Sequence, residues 1–199
     1  MRFTLLLAAA SAFAADAPVP ALRIEPTTGG SIFFVKNTAG QPLTAYLIEL
    51  VDYPGSSYTL WQDELIAGDP LAPNAERRIP VANMTVGAVP DYVKLRAALY
   101  ADGTTAGDPT RIAQFIERRK ALLATTRELI RRLDSPAPDL KPMLETLNTA
   151  PKPKRDSQES INQPAIRSLI STIEKLPASE ALSRLRTLER ALSTSKPAL

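Results

Sequence analysis

The chain has 199 residues, 44% of them hydrophobic, a formal charge of +3, and neither histidine nor cysteine. Those two absences remove Ser-His-Asp triads, Cys-His dyads, thiolate nucleophiles, disulfides and the usual structural zinc sites. What remains is carboxylate, Ser-Lys or oxygen-ligand chemistry, and no cofactor or metal is expected.

A lone Arg2 precedes twelve apolar or small residues, 3–14, that close on Ala12-Phe13-Ala14. This pattern predicts a secretory signal peptide over 1–14, and hence a secreted or periplasmic protein. Twelve residues fall short of the ~20 needed to span a bilayer, so no transmembrane segment is expected after its removal. Without cysteine, lipid attachment at the new N-terminus is also excluded.

Short runs rich in Ile, Val, Phe, Tyr and Thr follow at 22–25, 31–36, 43–52, 58–61, 76–81 and 92–100. Between them lie turn signals such as Thr28-Gly29-Gly30, Pro54-Gly55-Ser56, Gly68-Asp69-Pro70 and Asp102-Gly103. Strands joined by a few residues favour antiparallel neighbours, so 15–108 is expected to be a β-sandwich. In 43–51 both alternating sets of side chains are apolar, which asks for cover on both faces. In 92–100, Val93, Leu95, Ala97 and Leu99 are expected on one side and Lys94 and Arg96 on the other.

The stretch Ile32-Phe33-Phe34-Val35-Lys36-Asn37-Thr38-Ala39-Gly40-Gln41-Pro42-Leu43-Thr44-Ala45-Tyr46 resembles the strand, turn and strand of bacterial exported immunoglobulin-like domains, where an N-x-x-G-x-P turn is common. Leu71-Ala72-Pro73-Asn74-Ala75-Glu76 is similar to the L-x-P-G-x turn before a strand in them, with Asn74 where glycine is usual. The resemblance spans about residues 20–105. It implies an immunoglobulin-like sandwich and brings no functional site with it.

Charge divides at the same place as structure. Residues 15–108 hold six Lys or Arg against eleven Asp or Glu, −5; residues 109–199 hold seventeen against ten, +7. The halves are therefore expected to attract, and the small net charge argues against nucleic acid as a partner.

From Asp108, a helix cap, and Pro109, at the first helical position, a helix is expected over 109–133. Ile112, Phe115, Ile116, Leu122, Leu123, Leu129, Ile130 and Leu133 share one face of it. Arg111, Arg118 and Arg132 line one edge of that stripe, and Lys120, Arg127 and Arg131 the other. The stripe is expected to cover the sandwich, while its basic flanks offer an alternative, adsorption to an anionic surface. Arg119 falls inside the apolar arc and needs a carboxylate; Glu49, which interrupts the apolar strand 43–51, is the expected partner.

Proline-rich connectors at 135–138 and 151–155 flank a short helix, about 140–148, within a linker over 134–160. Two stripes, Ile166, Leu169, Ile170 and Ile173, then Leu182, Leu185, Leu188 and Leu192, predict a helical hairpin over 161–199, its helices starting near Pro164 and Ser179. The fold class is thus α+β: an N-terminal antiparallel immunoglobulin-like sandwich, a long amphipathic helix packed on it, and a C-terminal helical hairpin.

Local motifs add little chemistry. Asp102 to Asp108 lacks the oxygen ligands of a calcium loop. Asp63 and Glu64, beside Trp61, are adjacent in sequence and are expected to form a solvated bend rather than a facing catalytic pair. Ser193-x-x-Lys196 lies at an expected frayed end, and Asn83-Met84-Thr85 is a glycosylation acceptor only in a host that uses it. The expected role is a non-enzymatic interaction or structural module that meets an unknown protein or envelope component. The alternatives are a carboxylate-based glycan hydrolase and an anionic-surface binder.

Overall fold

The structure, a computed structural model, describes residues 17–52, 57–82, 90–135 and 140–199. The expected signal segment 1–14, the Pro54-Gly55-Ser56 turn, the 83–85 acceptor and the Pro136 and Pro138 pair lie outside those residues. Strands β1 (Ala21–Thr27), β2 (Gly30–Lys36), β3 (Leu43–Leu50) and β4 (Thr59–Asp63) come first. A one-turn helix, α1 (Glu64–Ala67), precedes β5 (Glu76–Ala82), β6 (Val93–Tyr100) and β7 (Thr105–Gly107). Helices α2 (Pro109–Leu133), α3 (Lys141–Thr149), α4 (Gln158–Glu174) and α5 (Ala178–Ser193) complete the chain.

All strand pairs are antiparallel, in two sheets with the orders β1-β2-β5 and β4-β3-β6-β7. Between the sheets lies a core of Phe33, Val35, Leu43, Tyr46, Ile48, Val93, Ala98 and Tyr100. The two turns singled out in the sequence are stitched together. Asn37, fully buried, donates through Nδ2 to the carbonyls of Gln41 and Leu71 at 2.8 and 2.9 Å and accepts from the Ala39 N–H. The Asn74 N–H in turn donates to the Asn37 carbonyl. Asn74 sits at φ +64°, the left-handed conformation that glycine usually supplies and asparagine tolerates, so the departure from the L-x-P-G-x pattern is conformationally conservative.

The alternation expected for 92–100 breaks at Arg96. Leu47 pairs with Ala97 and Ile48 with Leu95, so Arg96 is an extra residue, a β-bulge that reverses which side chains face inward. Leu95 therefore packs with the inter-sheet core, whereas Ala97 and Leu99 point to the outer face. A second irregularity leaves Thr44 between the Leu43–Tyr100 and Ala45–Leu99 pairs. Strand β7 and helix α1 are additions to the expected elements. Strand β7 closes on the bulge: Gly107, at φ +98°, lies so near Arg96 that a Cβ there would sit 2.2 Å from the Arg96 carbonyl oxygen.

Helix α2 spans the residues expected and does two jobs. Its first half seals the outer face of the four-stranded sheet, where Phe115 packs among Ala45, Leu47, Ala97 and Leu99, with Ile112 and Ile116 beside it. Its second half, through Leu122, Leu123 and Leu129, joins a separate core with Leu169, Ile170 and Ile173 of α4 and Ala181, Leu185 and Leu192 of α5. The hairpin thus docks on α2. Its first helix begins at Gln158, capped by the Ser157 hydroxyl, and runs through Pro164 rather than starting there. Helix α5 starts at Ala178, with Pro177 at the cap position and Ser179 in its first turn. Among the described residues no helix is long and apolar enough to cross a membrane.

Candidate binding cleft

Asp108 caps α2 as its position predicts, accepting from the Thr110 N–H at 2.9 Å, with Pro109 at the first helical position. Arg96, freed by its bulge, donates to the second Asp108 oxygen at 2.7 Å, and that bond, aided by the Thr110 N–H, holds the carboxyl below its ordinary range.

The expected Arg119–Glu49 pair is not formed. Arg119 instead clasps Asp63 with two bonds, Nε to Oδ2 at 2.8 Å and Nη2 to Oδ1 at 2.9 Å, and Nη2 also reaches the Thr44 carbonyl at 3.2 Å. Glu49 is met by Arg111, at 2.8 Å, and by Arg96, at 4.0 Å. The carboxylate class was right and the residue wrong, for a reason of length. Helix α2 runs along β3 so that Arg111 lies over Glu49. Eight helical residues onward, about 12 Å, place Arg119 over the Ala45–Asp63 pair, four strand residues or about 13 Å further on. The Thr44 irregularity leaves its carbonyl free to accept from Arg119.

Asp63 and Glu64 are not a solvated bend: they are 4% and 1% exposed. Asp63 Oδ1 also caps α1 through the Leu65 N–H at 3.2 Å. Glu64 pairs with Arg77 at 3.1 Å, yet burial raises its carboxyl above the usual range and Arg77 only partly opposes this. Burial and the nearby Glu64 charge likewise push the Tyr46 hydroxyl above its ordinary value.

The basic flanks of α2 are mostly matched inside the chain. Lys120 pairs with Glu117 at 2.8 Å, Arg127 with Glu189 at 3.0 Å, and Arg131 and Arg132 with Glu128 at 2.6 and 2.7 Å. Three bonds, two from Arg131 and one from Arg132, hold the Glu128 carboxyl down at about 2. A depressed carboxyl contributes above its unfolded range and loses that contribution as pH falls through the folded value. Carbon-detected NMR is therefore expected to show the Glu128 side chain titrating near pH 2; a midpoint in the ordinary glutamate range would contradict the clasp.

Arg118 is the exception. Only 8% exposed, it makes no ion pair among the described residues, and its buried Nε and Nη1 have no hydrogen-bond partner. Burial lowers its pKa, Asp63 opposes that and Arg119 adds to it. Asp63 is taken by Arg119, so Arg118 is left a buried guanidinium with no carboxylate of its own among the described residues. Arg118 opens on a cleft of about 760 Å³ between β4 and the hairpin, walled by Trp61, Leu65, Ile66, Leu169 and Leu188. It also borders a smaller space of about 400 Å³, shared with Arg111, Glu49 and Arg155. Trp61 and Pro164 stand between the two, lining both. Pro164 has no N–H to give the Ser160 carbonyl one turn earlier, so this face of α4 carries a proline where a helix would otherwise be closed.

Sequence reasoning placed Arg118 among surface cations, because periodicity puts it at the stripe's edge and says nothing of a second layer packed over that edge. In the sequence Trp61 stands out only as the neighbour of Asp63 and Glu64, and Pro164 only as a helix start. Comparison of the chain with protein-family models, with curated proteins and with solved structures yields no match.

Proposed function

We propose that the chain is an exported, non-enzymatic interaction module, secreted or periplasmic, whose cleft between β4 and α4 receives an anionic group of a protein or envelope component. One observation carries this reading: Arg118 is buried, charged and without a partner among the described residues, at the base of a cleft large enough for a ligand. A buried cation left unpaired is costly, and an incoming anion removes that cost.

The strand order supports an immunoglobulin-like identity. Lettered along the chain, β1-β2-β5 correspond to A-B-E and β3-β6-β7 to C-F-G, with β4 beside C. The carboxylates favour binding over glycan hydrolysis. Asp63, Glu49, Asp108 and the buried Glu64 are each engaged by arginine, whereas a glycosidase needs a carboxyl free to give up a proton opposite a second one ~5–9 Å away. Adsorption to a broad anionic surface fits less well, since the apolar stripe of α2 is covered and its flanking cations Lys120, Arg127, Arg131 and Arg132 are paired with Glu117, Glu128 and Glu189.

The test is arginine side-chain NMR of the full chain titrated with acetate. The Arg118 Nε–H resonance is expected to shift and saturate, and to vanish in Arg118→Gln. If Arg118 stays unmoved while the exposed Arg127 and Arg131 respond, the reading is wrong.

A further inference from the structure

Resting on that reading, we infer that the cleft binds a small amphipathic monocarboxylate, its head on Arg118 and its apolar body along Trp61, Leu65, Ile66 and Leu188. Charge sets the head group. Arg118 and Arg119 are both buried, and Asp63, the buried carboxylate nearest them in the cleft wall, is already clasped by Arg119 at 2.8 and 2.9 Å, so Arg118 has no carboxylate of its own among the described residues. One monoanion matches that one unpaired guanidinium, whereas a dianion would bring a second negative charge beside Asp63, which also lines the cleft.

The walls set the body. Beyond Arg118 the cleft has an apolar wall of Trp61 and aliphatic side chains from α1, α4 and α5, with Asp63 and the exposed Arg184 among its polar lining, and its volume of about 760 Å³ lies in the range of pockets that enclose small molecules. Leu65 and Ile66 owe their position to α1, which Asp63 caps, so the carboxylate that anchors Arg119 also holds one wall of the cleft. Head and body sites are thereby fixed to each other by the same residue.

The experiment compares butanoate, octanoate and octylammonium on the full chain, by calorimetry and by the emission of Trp61, the sole tryptophan. Each methylene removed from water is worth about fourfold in affinity, so octanoate, with four more of them, is expected to bind roughly 250-fold more tightly than butanoate. Octylammonium is expected not to bind. Arg118→Gln should abolish octanoate binding. Ser168→Phe, at an exposed position of the cleft wall on α4, fills the space without touching a core and should abolish it too.

Equal affinity for butanoate and octanoate, or binding of octylammonium, overturns the amphipathic class. If the short acids still shift Arg118, the docking reading survives that failure; if no anion moves Arg118, both fall.

Discussion

Replacing Arg119 with methionine is expected to cost about 3–5 kcal/mol of folding stability, measured by urea unfolding. The side chain is 1% exposed and gives two short bonds to Asp63, itself 4% exposed. Methionine matches much of the aliphatic stem but strands a carboxylate away from water, and that orphaned charge is the source of the loss. Asp63→Asn keeps an oxygen to cap α1 while removing the charge. The double variant Arg119→Met/Asp63→Asn is therefore expected to be more stable than the sum of the single losses predicts, by at least about 1 kcal/mol. A parallel cycle with Glu49→Gln should be close to additive, because Glu49 is engaged by Arg111 and not by Arg119. A cost below about 1 kcal/mol for Arg119→Met would show that the clasp does not hold the layers together.

Phe115→Ala is expected to lose a similar amount, about 3–5 kcal/mol, or on the order of 10 °C in melting temperature for a chain of this length. The ring is fully buried and lies over Ala45 and Ala97, whose small side chains leave the hollow it fills. It also meets Trp61 edge-on, with centroids 4.8 Å apart and planes at 69°. Truncation leaves a cavity that α2 has little freedom to close, since the helix is pinned on either side of Phe115 by Arg111 to Glu49 and by Arg119 to Asp63. The emission of Trp61 should shift to the red as its covering ring is lost. A loss no larger than about 1 kcal/mol, with unchanged emission, would mean that α2 is not seated on the sheet.

The two substitutions probe different terms in one contact. Phe115 measures how well the apolar stripe fits the sheet, and Arg119 measures the charge that fixes its register. Arg119 stands where the stripe passes from the sheet core to the helical core, at the boundary between Phe115 and Leu122. A residue that looks like a fault in the periodicity is the point at which the helix changes partners.

Much of this architecture was legible before any coordinates. The Asp108-Pro109 start and the 3.6-residue stripe marked α2 residue for residue, because caps and periodicity act within one segment. The turns at Asn37 and Asn74 were legible as turns for the same reason. Other features depended on a second segment. The bulge at Arg96 exists because β3 and β6 pair out of step, and no alternation within 92–100 announces it. Asp63 and Glu64 read as exposed because adjacent carboxylates usually are; they are buried because Arg119 and Arg77 arrive from elsewhere in the chain.

The candidate site followed the same division. Composition removed whole reaction classes, and the uneven charge of the two halves predicted that arginines of α2 would meet carboxylates of the sheets, as Arg111 and Arg119 do. Which carboxylate each would meet depended on where α2 lies along β3, a registration between elements that helical rise and strand rise convert into partners. Arg118 could be recognised as singular only once α4 and α5 had covered it. Helical periodicity gives each side chain an angle around its own axis, whereas burial depends on what other elements place at that angle. The sequence by itself determined the elements and the sign of their attraction; the tertiary structure decided the pairings, and with them which cation was left without one.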